Sequence, residues 1–82
     1  MESLVSHSLL QRTAKLLFDI QAKDGSIVKI TQHQLSELLF ASREKVNTKL
    51  KALEKLNAIT TRRGSIEILN ANLLKDVGNQ SL

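Results

Sequence analysis

Cysteine and proline are absent from the 82-residue sequence, glycine occurs three times, and the aromatic side chains are Phe18 and Phe40 alone. Each shortage removes a class of function. Without cysteine there is no disulfide framework, no thiolate metal site and no cysteine nucleophile. The composition suits a reducing, cytoplasmic setting. Without proline, turns must come from Gly25, Gly64 and the short polar side chains. Two aromatic residues cannot build a surface that stacks single-stranded bases. No apolar run is long enough for a membrane span, and no signal-peptide core is present. His7 and His33 have no nucleophile or ligand set arranged around them, so the sequence does not read as an enzyme or a metal protein.

What remains is a small, basic domain. The formal charge is +4 and the pI about 9.8, which favours a polyanionic partner. The length suits one modest core. No internal repeat or second-domain boundary interrupts it. One domain is expected over 1–82, with its core at about 6–69 and a short helix and tail over 70–82.

Leu9, Thr13, Leu16, Leu17 and Ile20 recur at helical spacing and predict an amphipathic helix from roughly Ser6 to Ala22. Lys23-Asp24-Gly25-Ser26 stops it. Ile27-Val28-Lys29-Ile30 reads as a short strand. Thr31-x-x-Gln34 is a capping box, opening a two-turn helix whose apolar face is Leu35, Leu38 and Leu39. Phe40-Ala41 makes a turn, and Ser42 caps the next helix. Val46, Leu50, Leu53 and Leu56 give that helix an inward face, with Glu44, Asn47, Thr48, Lys51 and Lys55 opposite. Asn57 ends it. Ile59–Arg62 and Ser65–Leu69 then pair across Arg63-Gly64. Asn72–Val77 predicts a short last helix. The expected class is mainly α with a small β-hairpin: a winged helix-turn-helix, three-helix core plus wing, with the helix over 43–56 in a DNA major groove and the wing over 59–69 on the backbone.

The charge agrees with that reading. Arg43, Lys45, Lys49, Lys51, Lys55, Arg62 and Arg63 fall in the third helix and the wing, opposed by Glu44 and Glu54. Arg43 suits bidentate bonds to guanine O6 and N7, and Glu44 can accept from cytosine N4 or brace a neighbouring arginine. Asn47 can read adenine, and Thr48 offers a hydroxyl and a methyl group to thymine. Phosphate is expected at Thr31, Gln32 and Ser42 near helix N-termini, at Lys45 and Lys51, and at Arg62, Arg63 and Ser65 in the wing. The alternative is a winged helix that docks another protein, which calls for an apolar outer face on the third helix.

Lys29-Ile30-Thr31, Ser42-Arg43-Glu44, Leu50-Lys51-x-Leu53-Glu54 and Asn57-x-Ile59 together resemble the C-terminal DNA-binding domain of the CRP/FNR family of bacterial transcription regulators. The likeness runs from about Leu9 to Leu69, without a gap between Ile30 and Ile59. It implies a homodimer on an inverted-repeat operator, with RNA polymerase as a further partner and the nucleoid as location. Members usually carry an N-terminal nucleotide-binding-like barrel and a long dimerisation helix. Neither occurs here, so the expectation is an excised domain that is monomeric alone and holds no cofactor. Any effector would bind the missing N-terminal part. Three positions depart from the pattern. Phe40 replaces the usual turn glycine, which implies an altered turn or a ring that plugs the core. Asn47 and Thr48 stand where members carry a small residue and an arginine, which implies a different half-site.

Overall fold

The computed structural model describes residues 8–79, so Ser6 and His7 of the expected first helix lie outside the described residues. Within them are α1 (Leu9–Asp24), β1 (Ile27–Val28), α2 (Gln32–Leu39), α3 (Arg43–Lys55), β2 (Ile59–Arg62), β3 (Ser65–Ile68) and α4 (Ala71–Gly78). The three strands form one antiparallel sheet in the order β1-β3-β2. The expected hairpin is therefore widened by β1, whose Val28 lies opposite Ile66. None of the described helices is long and apolar enough to cross a membrane.

Each helix start is fixed by local hydrogen bonds. Ser8 and Gln11 form a capping box at α1: the Ser8 hydroxyl accepts from the Gln11 N–H at 3.1 Å, and the Ser8 N–H donates to Gln11 Oε1 at 2.9 Å. Helix α1 runs two residues beyond Ala22 and stops at Gly25, whose φ of 92° suits glycine. Thr31 and Gln34 make the same reciprocal pair at α2, at 3.1 and 2.9 Å. Ser42 caps α3 by accepting from the Lys45 N–H. Asn70 caps α4 by accepting from the Leu73 N–H. One orphan donor of each first turn is thereby answered.

Two helices end in the same way. After α2, Phe40 takes φ 53° and ψ 46°, its N–H reaches Glu37 O, and the Ala41 N–H reaches Ser36 O. After α3, Asn57 takes φ 61°, its N–H reaches Glu54 O, and the Ala58 N–H reaches Leu53 O. Both are Schellman closures around a left-handed residue. Asn tolerates that conformation, whereas phenylalanine has no side-chain hydrogen bond to offset the clash of its Cβ.

The Phe40 ring is 91% exposed. The turn thus keeps the left-handed geometry that glycine would adopt, and the ring does not plug the core. Phe40→Gly is expected to stabilise the domain by about 0.5–1 kcal/mol, because relief of the left-handed strain outweighs the extra chain entropy of glycine. A thermal melt followed by circular dichroism checks this: the midpoint should rise by a few degrees. A lower midpoint would mean that the ring makes stabilising contacts.

The core draws on every element. Ala14 and Leu17 of α1, Val28 of β1, Leu35 and Leu39 of α2, and Val46, Leu50 and Leu53 of α3 are buried. Ala58, Ile59, Ile66 and Ile68 add the sheet, and Leu74 and Val77 carry the core into α4. Gly78 explains how closely α4 meets α1, since a Cβ there would lie 3.1 Å from the Lys15 backbone. Thr13 is fully buried and donates to Leu9 O at 2.7 Å, which satisfies its hydroxyl within the helix.

Two expected core residues face solvent instead: Leu38 is 55% exposed and Leu56 48%. At about 100° per residue, Leu35, Ser36 and Leu39 occupy one arc and Leu38 has turned off its edge. Ser36 can take the inward place because its hydroxyl donates to His33 O at 2.6 Å. Leu56 falls at the cap, past the last helical residue, Lys55.

Candidate nucleic-acid interface

The sheet and the two motif helices enclose a cleft of about 230 Å³. Thr31 and Gln32 enter it from the start of α2, Arg43 from the start of α3, and Arg62, Arg63 and Ser65 from the wing. These six residues, far apart in sequence, were each expected to meet nucleic acid. The fold brings their side chains to one concavity. Arg43, Arg62 and Arg63 all line it, and positive charge clustered around a concavity raises the local concentration of anions.

The arginines differ in their commitments. Arg62 donates to Glu67 Oε1 at 2.8 Å across the wing. Glu67 was missing from the count of opposing acids, although the register makes it legible: Arg62 pairs with Ser65, which places Glu67 diagonally across. Arg43 and Arg63 make no ion pair among the described residues. Each retains its full set of donors for a ligand.

The outer face of α3 is polar. Glu44, Thr48 and Lys51 are exposed and Asn47 is half-buried. The Thr48 hydroxyl donates to Glu44 O at 3.0 Å. Its proton is thus used within the helix, which leaves oxygen lone pairs and the methyl group facing outward. Arg43 and Lys45 stand on opposite flanks of this face, about 100° from Glu44 on either side. Asn47 is not independent of α2, because Gln32 Nε2 donates to Asn47 Oδ1 at 3.0 Å. No periodicity argument could have found that bond, which joins two separate helices.

A second contact missed in the sequence sets the wing. Strand β2 is an edge strand, and the Glu54 carboxylate accepts both the Thr61 N–H at 3.1 Å and the Thr61 hydroxyl at 3.0 Å. Glu54 therefore answers an edge donor that the sheet leaves open and ties the wing to α3. Behind the motif, Arg12 of α1 donates to Leu39 O at the end of α2. His33 Nε2 lies 3.7 Å from the Glu37 carboxylate on the exposed side of α2. Among the described residues no three His, Cys, Asp or Glu side chains gather as a metal site.

A family model described as the Crp-like helix-turn-helix domain matches residues 11–77. Among solved structures, the chain is similar to the Thermus thermophilus catabolite activator protein, at 28% identity and a TM-score of 0.76, over 85% of this chain and 33% of that one. A protein from Eubacterium rectale described as a crp/fnr-family transcriptional regulator superposes with a TM-score of 0.86 at 24% identity, over 94% of this chain and 36% of that one. A second Thermus thermophilus protein, a transcriptional regulator of the CRP family, gives 0.81 at 20% identity, over 96% and 44%. The last two matches bear on fold alone. The chain spans between a third and under half the length of these proteins. No curated protein matches it. The matched span runs from within α1 to within α4 and takes in every cleft residue named above, and the chain belongs to the Crp-like helix-turn-helix family, the DNA-binding domains of CRP/FNR-type transcription regulators.

Proposed function

We propose that this domain recognises a specific double-stranded DNA site by laying α3 in the major groove and the wing along the sugar-phosphate backbone. The observation that carries the reading is the convergence of Arg43, Arg62 and Arg63 on one cleft beside a polar helix face. Arg43, Glu44, Asn47 and Thr48 are assigned to base edges. Lys45, Lys51, Arg62 and Arg63 are assigned to phosphates, with Thr31, Gln32, Ser42 and Ser65 adding neutral donors. A docking role for α3 finds little support in a face that exposes Glu44, Thr48 and Lys51.

In a longer regulator, two copies would occupy the halves of an inverted repeat in the bacterial cytoplasm. There they could also meet RNA polymerase, and an effector would act from another domain. The isolated domain is expected to be a monomer that pairs weakly on DNA.

The test is selection from a random duplex pool, followed by rebinding of the winners by fluorescence anisotropy at two salt concentrations. Enriched inverted repeats, bound far more tightly than scrambled duplex, support the reading. Four cationic side chains on phosphates predict a log–log salt slope of about −3.6 for each bound domain. Equal affinity for selected and scrambled duplexes would overturn sequence-specific recognition, and a flat salt response would remove the phosphate contacts.

A further inference from the structure

The bridge between Gln32 and Asn47 changes what α3 can read. Gln32 is the first residue of α2, and Asn47 stands one turn into α3 on the face it shares with Glu44, Thr48 and Lys51. Both are half-buried, and Gln32 Nε2 donates to Asn47 Oδ1 at 3.0 Å. An asparagine side chain carries one acceptor oxygen and one NH2 group. Reading adenine in the major groove uses both, with the oxygen accepting from N6 and the nitrogen donating to N7. Here the oxygen already accepts from Gln32, which leaves a second lone pair but holds the amide with its oxygen on the α2 side. The NH2 end is the part left for a ligand.

We infer that Gln32 is a positioning residue for base recognition, holding Asn47 as a donor so that it selects a keto-bearing base edge, guanine O6 or thymine O4, over an amino-bearing one. Guanine presents two adjacent acceptors to such a donor. Adenine N6 and cytosine N4 would set donor against donor. The adenine contact expected of an isolated asparagine is thereby disfavoured. This inference rests on the DNA-binding reading and goes beyond it by naming the edge that is chosen and the residue outside α3 that chooses it.

Gln32 variants supply a readout that a merely structural role would not move. In Gln32→Ala the Asn47 amide is free to rotate, and adenine becomes acceptable. In Gln32→Glu the new carboxylate has no donor. It would accept from Asn47 Nδ2 and turn Oδ1 outward, inverting the preference toward the amino edge. Loss of affinity from the added negative charge would act on every duplex alike, so it cancels in a ratio.

The experiment substitutes each base pair of the selected duplex in turn and measures affinity by fluorescence anisotropy. Wild type, Gln32→Ala, Gln32→Glu and Asn47→Ala are compared, with circular dichroism melts confirming that all are folded. One position should prefer keto over amino by about tenfold in the wild type, the scale of a good base contact. That preference should vanish in Asn47→Ala, collapse toward unity in Gln32→Ala and reverse in Gln32→Glu. An unchanged ratio at that position in both Gln32 variants overturns the inference while leaving sequence-specific binding in place. So does a wild-type preference for the amino edge there, or an Asn47→Ala variant that alters no position. A wild type with no base preference at any position overturns the DNA-recognition reading itself, and this inference with it.

Discussion

Arg43→Ala is expected to weaken binding to the selected duplex by about 1–3 kcal/mol while changing affinity for random duplex little. Arg43 is the first helical residue of α3, directly after the Ser42 cap. Its backbone is therefore fixed while its side chain is exposed and makes no ion pair among the described residues. A guanidinium so placed loses no protein partner on binding and can present its planar fork to guanine O6 and N7. Arg43→Lys separates fork from charge. An ammonium keeps the attraction to phosphate but cannot make the bidentate pair, so specificity should fall while non-specific affinity persists. Measured at one salt concentration on both duplexes, equal losses for Arg43→Ala would reassign the residue to the backbone.

Much of the fold was readable because its signals are local. Thr31 and Gln34 announce a capping box by spacing alone, and Ser8 and Gln11 carry the same pattern, which places the start of α1 after Ser8 rather than at Ser6. Asn57 suits the left-handed end of α3. The matching end of α2 was harder, since Phe40 opposes the conformation that the turn imposes. There the two hydrogen bonds of the closure and the buried flanks, Leu39 before and Val46 beyond, override local preference.

Contacts between elements that are not joined by a tight turn were beyond sequence reasoning. Strand β1 is two residues long, too short to reveal that it pairs with β3. Glu54 reaches Thr61 and Gln32 reaches Asn47 only after the elements have packed. For the site, residue types and their shared face were legible. Which donors are already engaged was not, and that determines what each residue can offer a base.

Leu50→Ala should show the largest loss of stability, about 2–5 kcal/mol, the usual cost of a cavity in a packed core. Leu50 is 1% exposed on the inner face of α3 and its chain also floors the arginine cleft. Helix α3 packs on α1, α2 and β2, and Leu50 belongs to the core they share. A domain of this size is stabilised by roughly 5–10 kcal/mol in total, so a large fraction of the margin would go. Urea unfolding should show a lower midpoint with little change in slope. Binding should respond differently from Arg43→Ala. The exposed base-reading atoms remain, so affinity should fall mainly by the fraction of molecules unfolded, and saturating duplex should restore part of the lost melting temperature by mass action. A variant that melts normally yet binds poorly would place Leu50 in direct support of the cleft rather than in the core. One that melts early and recovers with DNA would establish that duplex binds the folded state and that Leu50 acts on recognition through stability.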